Sequence, residues 1–281
     1  RLIRETAEND LLAFIRLVSP NSVLGSVHEE LITWITSTDR KSHKLVLLPR
    51  DHQKSRIAAF WAAWQLTKNP HYRILYISST ANLAEKQLKF IKDILTCKAY
   101  KTFWPEMVNE RETDREKWTN NEISVDHPKR AQENVRDPSI FTAGLTSSIT
   151  GLHCDIAILD DVVASENANT EDGREKVKAQ VSLLTSIEGT DSRQLVVGTR
   201  YHPADVYNHM MDMEYPLYDK DGEEIDVVKV YDVFERKVEE NGEFLWPRQQ
   251  RPDGRWFGFD QNILSRKKAQ YLDKTQFYAQ Y

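Results

Sequence analysis

The amino-acid sequence predicts an α/β fold with a mainly parallel central sheet flanked by helices. Two observations carry this reading. Short apolar runs alternate along the chain with helical patterns, the arrangement that buries a parallel sheet between two helix layers. The residues of chemical character fall just after those runs, and in such sheets ligands bind beyond the carboxyl ends of the strands.

The elements follow in order. The first forty residues read as helices, with an apolar pattern through Leu11, Leu12, Phe14, Ile15 and Val18, a break at Ser19-Pro20-Asn21, and a second stretch from His28 to Ile35. After Asp39-Arg40-Lys41 comes Lys44-Leu45-Val46-Leu47-Leu48, too short for a helix and suited to a buried strand. Pro49 closes it, and the alanines, Ile57 and the tryptophans between Ser55 and Leu66 make a helix. Arg73 to Ile77 is the next strand and Ser78-Ser79-Thr80 a cap. A helix then runs from Ala81 to Leu95 with Leu83, Leu88, Ile91 and Leu95 on one face. Further strands are expected at Ser139 to Ala143, Asp155 to Leu159 and Gln194 to Val197, with a helix from about Gly173 to Ser186 between the last two. From about Glu214 the character changes. Asp219-Lys220-Asp221-Gly222 is a turn signal, Val227 to Phe234 alternates weakly, and Asn241-Gly242 suggests a hairpin turn. The segment Trp246 to Gly258 is rich in Pro, Gly, Arg and Trp, and Gln261 to Leu272 looks helical. We divide the chain into a core, 1–213, and a smaller linker or lid subdomain, 214–281, packed on the sheet edge.

A length of 281 residues suits one large domain with a small appendage, and 40% hydrophobic with 29% charged residues is an ordinary globular composition. No apolar run approaches a membrane span, and no signal peptide opens the chain. Arg1 at the start and the aromatic stretch ending at Tyr281 read as cut ends. Cys97 and Cys154 have no zinc-like spacing and read as two reduced thiols. A net charge of −5 argues against a small DNA-coating protein, but not against a larger one that touches DNA with a few residues.

Three clusters carry chemistry. The first is Pro49-Arg50-Asp51-His52-Gln53-Lys54-Ser55-Arg56, between a strand and a helix. A lysine followed by serine at a helix start suits a triphosphate. Backbone amides and the helix dipole face the anion, the ammonium reaches the β- and γ-phosphates, and the hydroxyl ligates Mg²⁺. The usual motif has two glycines, where this chain has Leu48 and Gln53. A solvated helix start would account for Lys54-Ser55 alone, and Arg50 adds a second cation. The second cluster is Asp160-Asp161, ending an apolar strand. Paired acids there are costly to bury without a cation. They suit a metal ligand (Asp160) and a base that orients water (Asp161), although capping the next turn is the plainer alternative. Glu166 is a fallback base. The third is Gly198-Thr199-Arg200-Tyr201-His202-Pro203, where the Thr199 hydroxyl would sense a γ-phosphate and an ordinary turn is again the alternative.

On these residues the sequence resembles the terminase large subunits of tailed bacteriophages, especially the podophage type. LVLLPRDHQKSR is similar to the family's glycine-variable Walker A (49–56), DIAILDDVV to its Walker B (155–161), and QLVVGTRYHPADVY to its coupling motif (194–203). FLWP and KTQFYAQY resemble the segment that joins the ATPase to a nuclease. The resemblance implies a P-loop NTPase fold of the ASCE type that uses ATP and Mg²⁺ to move double-stranded DNA into a preformed capsid. It implies a homomeric, pentameric ring on the capsid portal, a small terminase subunit as partner, and work in the host cytoplasm on the procapsid rather than in the mature virion or a membrane. Carried over by position, Lys54 and Arg50 hold phosphates, Ser55 and Asp160 serve Mg²⁺, Asp161 is the acid/base, Thr199 couples hydrolysis to motion, and His28 is a candidate for the adenine pocket. Some members carry a trans-acting arginine just before Walker B. Ser148 to His153 has none here, which leaves Arg200, Arg56, Arg136 and Arg174 as candidates. The family's two-metal nuclease would lie after Tyr281, so this chain is not expected to cut DNA.

Two other readings stay open at this stage. A helicase-like ATPase would need a second motor domain or a repeated set of motifs, which the sequence lacks. A scaffold without hydrolysis would explain the glycine-free loop. Lys129-Arg130 and Arg266-Lys267-Lys268 are candidate DNA contacts, and a solvated face is the alternative for each.

Overall fold

The computed structural model describes residues 1–37 and 43–281; the stretch with Asp39, Arg40 and Lys41 lies outside the described residues. Three helices open the chain, α1 (Leu2–Asn9), α2 (Leu11–Val18) and α3 (Ser26–Thr36). Asp10 caps α2, its carboxylate accepting from the amides of Leu12 and Ala13, two of the donors that a helix start leaves free. The next elements are β1 (His43–Leu47), α4 (Lys54–Lys68), β2 (Ile74–Ser78), α5 (Ala81–Thr96), α6 (Lys98–Phe103), β3 (Glu122–Ile123), α7 (Pro128–Gln132) and β4 (Ile140–Gly144). After them come β5 (Cys154–Asp160), α8 (Ser165–Ala168), α9 (Glu171–Leu184), β6 (Glu188–Gly198) and α10 (Val206–Asp212). The remainder holds a hairpin of β7 (Glu214–Tyr218) and β8 (Glu224–Lys229), then β9 (Tyr231–Glu235). Two short hairpins follow, β10 (Glu239–Glu240) with β11 (Glu243–Phe244) and β12 (Gln249–Gln250) with β13 (Trp256–Phe257), before α11 (Gln261–Gln270) and α12 (Lys274–Gln280).

Seven strands form the central sheet in the order β3-β4-β2-β5-β6-β1-β9, every pair parallel except β3 with β4. Strand side chains alternate between two cores. Val46, Tyr76, Ile156 and Val197 pack beneath the N-terminal helices and α4–α6, while Leu45, Leu75, Leu159 and Val196 pack against α8–α10. Burial on both faces is why the strands read as continuous apolar runs. Helix α4 is buried at every residue from Ile57 to Thr67, which explains its apolar character all round.

The α/β architecture is the one that the sequence predicts. Differences lie at the polar margins. β6 begins at Glu188 rather than Gln194, because its first half is mostly exposed and carries no apolar signal. The stretch Val227 to Phe234 is divided between two strands. Its first part belongs to the β7–β8 hairpin, whereas Tyr231–Glu235 joins the central sheet beside β1. Asn241 and Gly242 form the expected tight turn, with left-handed φ of 54° and 85°. Register then sets the site. Leu47 lies opposite Gly198, Ser78 opposite Asp160, and Asp160 opposite Val197, so four strands end along one edge.

Candidate functional site

β1 delivers the chain to that edge, and residues 48–53 turn it into α4. The turn runs through left-handed backbone at Asp51 (φ 66°) and Gln53 (φ 53°), a conformation that costs an L-residue about 1–2 kcal/mol and glycine nothing. Gln53 stands at the start of α4, and no side chain caps it. The first amides of the helix and the positive end of its dipole therefore face the cleft, an arrangement suited to an anion.

The first two side chains of α4 meet the end of β5. Ser55 Oγ donates to Asp160 Oδ1 at 2.6 Å, and the Tyr76 hydroxyl donates to Asp160 Oδ2 at 2.9 Å. The Lys54 ammonium lies 3.4 Å from Asp161 Oδ2. Burial, with repulsion from Asp161, pushes the Asp160 carboxyl up to about 6, while Ser55, Tyr76 and Lys54 pull it the other way. Burial and the neighbouring Asp160 charge push the Tyr76 hydroxyl well above its ordinary range. Asp161 itself takes a left-handed φ of 47°, and its amide donates to the Val197 carbonyl at 2.9 Å. Its Oδ1 is buried without a hydrogen-bond partner among the described residues.

β6 ends alongside. The Thr199 hydroxyl is buried and donates to the Leu48 carbonyl at 3.3 Å. Arg200 pairs with Glu235 at 3.3 Å and Asp205 at 3.7 Å. Arg50 donates to the Tyr201 hydroxyl and lies over its ring.

Residues 50–56, Gln87, Phe90 and Asp161 bound an open cleft of about 520 Å³. A second hollow of about 610 Å³ shares Asp51, Gln53 and Arg56 with it and extends towards Ser22 and Trp256. A larger one, about 680 Å³, lies beneath α11 and α12 and holds Thr199 and Arg200 but neither Lys54 nor Asp161. The chemistry therefore gathers in the first cleft. Among the described residues no three His, Cys, Asp or Glu side chains converge as a metal cage. One hydroxyl and one buried carboxylate fit Mg²⁺ that is carried on phosphate oxygens, which needs only one or two protein ligands.

No protein-family model matches the sequence. Over 163 residues, 57% of this chain, it is 27% identical to the terminase large subunit of Enterobacteria phage T3. The chain spans 26% of that relative's length. The large terminase ATPase domain of a Thermus phage, solved as a point mutant, superposes with a TM-score of 0.54 at 14% identity, over 95% of this chain and 96% of that one. The chain is similar to the large terminases, in sequence over part of its length and in fold over nearly all of it. The large terminase of bacteriophage HK97 gives a TM-score of 0.49 at 13% identity, over 73% of this chain and 40% of that one.

The remaining candidates are placed unevenly. His28 does not open onto the cleft. It is fully buried, its Nδ1 accepts from the Gly25 amide at 2.8 Å, and its Nε2 meets the His52 carbonyl at 3.3 Å. Burial and the neighbouring His52 lower its pKa to about 4. His52 is equally buried, stacked on Phe259. Arg56 lies over the Phe90 ring at the cleft wall, and Glu166 is exposed on α8. Arg136 is exposed and donates to the Gly151 carbonyl; Arg174 donates to that of Ala168. Arg130, one of the candidate DNA contacts, is buried with donors on the carbonyls of Pro70 and Tyr72, while Lys129 is exposed. Lys267 turns inward to Asp51, whereas Arg266 and Lys268 are exposed. Sequence reasoning missed Tyr76 and the part of Lys267. For Tyr76 the available signal was a hydroxyl inside an apolar strand that ends beside the acidic pair.

Proposed function

We propose that this chain is an ATP-hydrolysing motor domain that translocates double-stranded viral DNA into a preformed capsid through its portal. The observation that carries the proposal is the meeting of Lys54 and Ser55 with Asp160 and Asp161 at neighbouring strand ends. Lys54, Arg50 and the free amides of α4 hold the phosphates. Ser55 and Asp160 hold Mg²⁺, which when bound neutralises charge on the transferring phosphoryl group. Before the ligand arrives, Lys54 neutralises Asp161. A triphosphate in the cleft draws the ammonium away and leaves that carboxylate to orient and deprotonate the attacking water. Thr199, bonded to the first residue after β1, reports the state of the cleft to the rest of the sheet.

The likeness to the phage T3 terminase large subunit and to a terminase ATPase domain supports this reading. We extend the proposal to a homomeric ring on the portal with the small terminase subunit as partner, in the host cytoplasm, with DNA gripped through its phosphates rather than read by sequence. Residues 1–213, completed by β9 in the central sheet, are the ATPase core, and the rest of 214–281 is the linker or lid. No described helix is long and apolar enough to cross a membrane.

Steady-state ATPase measurements test the proposal. The parent chain is expected to hydrolyse ATP only with Mg²⁺, with specific activity rising steeply with protein concentration if a neighbouring subunit completes the site. Lys54→Ala and Asp160→Ala are each expected to lower turnover at least about 100-fold. Turnover equal to the parent in both variants would remove the site.

A further inference from the structure

We infer that elements outside the β1–α4 unit hold the glycine-free phosphate loop in shape, and that Lys267 is a positioning residue for the bound phosphates; this rests on the nucleotide reading above. A glycine-rich loop makes left-handed turns without strain. Here the turns fall on Asp51 and Gln53, and L-residues persist in such backbone only where their surroundings over-determine it.

Four consecutive residues are each anchored elsewhere. The Arg50 amide donates to the Gln280 carbonyl on α12 at 3.2 Å. Asp51 Oδ2 accepts from Lys267 Nζ on α11 at 2.6 Å. His52 stacks on Phe259, with ring centroids 5.0 Å apart and planes 8° from parallel, and its carbonyl meets His28 of α3. Gln53 Nε2 donates to the Val23 carbonyl, just before α3, at 2.9 Å. Lys267 is fixed in turn. Its ammonium also donates to the Tyr281 hydroxyl at 3.1 Å and faces the Phe259 and Tyr281 rings. These outside anchors do the shaping that glycine does in other phosphate loops. Because those from Lys267, Phe259 and Gln280 belong to the C-terminal segment, the position of that segment sets how well the loop receives phosphates.

Calorimetric titration of the full chain with magnesium tripolyphosphate, which has no base or ribose, reads the loop directly. Lys267→Met is expected to weaken binding about tenfold, the factor for one unsupported left-handed residue, and Lys267→Arg to restore most of it. In an Asp51→Gly background, where glycine holds the turn unaided, Lys267→Met is expected to add less than about twofold. Thermal melting reports whether each variant folds. Unchanged affinity in Lys267→Met overturns the inference. So does an equal loss in both backgrounds, because Lys267 would then act on the ligand itself or on the fold at large. Should the parent bind neither tripolyphosphate nor MgATP, the nucleotide reading falls and takes this inference with it. Binding that Lys54→Ala abolishes and Lys267→Met leaves intact removes this inference alone.

Discussion

The Ser55 hydroxyl, on the cleft wall, donates to Oδ1 of the buried Asp160 at 2.6 Å, joining the start of a helix to the end of a strand. The pKa of Asp160 is pushed up to about 6 there by burial and by Asp161. A divalent ion must displace that proton, so Mg²⁺-dependent nucleotide binding is expected to weaken as pH falls below about 6, approaching tenfold per unit. Titrations with MgATP between pH 5 and 8 check this, and Asp160→Asn should bind weakly with a flat profile. Stability of the ligand-free chain runs in the opposite direction. A carboxyl whose pKa is higher in the fold stabilises it most below the ordinary value of 3.8, and that contribution is lost as pH rises to about 6. The melting temperature of Asp160→Asn should therefore gain on the parent over the same interval. A constant difference would mean that Asp160 is not strained by its charge.

His28 predicts the reverse limb. Its buried ring, with pKa lowered to about 4 from 6.5, is neutral in the native state where the unfolded chain is protonated. Its contribution is present above 6.5 and is lost as pH falls towards 4. His28→Gln should flatten that acid limb relative to the parent by on the order of 1–3 kcal/mol. Because Asp160 acts oppositely over an overlapping range, the difference between variant and parent, measured by urea titration at several pH values, is the useful quantity. An identical acid limb in both chains would show that His28 is not a buried neutral base.

What the sequence disclosed depends on the range of each interaction. Lys54-Ser55 and Asp160-Asp161 were legible because each sits next to its own strand, and the strand pattern alone says where a parallel sheet puts its ligands. The apolar strands were legible for the same local reason. β9 was not, because a seventh strand pairing with β1 is decided by contact between residues far apart in sequence, as in His43 with Tyr231. Nor was the anchoring of the loop. Asp51 and Lys267 are separated by 216 positions, and a basic run on a helix gives no sign that its middle member points inward. His28 shows the converse. The resemblance offered it as a base contact, yet its two nitrogens are engaged by Gly25 and His52 within the fold.

Gly198 tests the packing that brings β6 to the site. A Cβ added there would lie 2.2 Å from the Tyr207 hydroxyl and 2.3 Å from its Cζ, and the Tyr207 ring is wholly buried. With no room to swing aside, Gly198→Ala should destabilise the chain by about 1–3 kcal/mol, the range for forcing atoms into a packed core. Tyr207→Leu removes the obstructing end of the ring and should make the double variant less unstable than the sum of the singles. Denaturant titration of the four chains measures this coupling. Strict additivity would mean that glycine is needed at 198 for some reason other than Tyr207.

Lys54 and Asp161 separate binding from chemistry. The ammonium lies 3.4 Å from Asp161 Oδ2, and Asp161 Oδ1 is buried without a hydrogen-bond partner among the described residues. If Lys54 shifts to the phosphates when they arrive, it contributes both to affinity and to turnover, while Asp161 contributes to the proton transfer alone. Asp161→Asn keeps the shape and removes the base. It should bind MgATP within about threefold of the parent and turn it over about 10²–10⁴-fold more slowly, the usual contribution of a positioned general base. Lys54→Ala should lose both. It leaves the Asp161 carboxylate without its cation in a cleft that must accept a polyanion, so its affinity should fall further than that of a Lys54→Ala/Asp161→Asn pair, in which the uncompensated charge is gone. Equilibrium binding and single-turnover rates on the four chains separate these effects. Equal losses of binding and turnover in Asp161→Asn would make Asp161 a ligand-holding group, and the base would then have to be sought at Glu166 on α8.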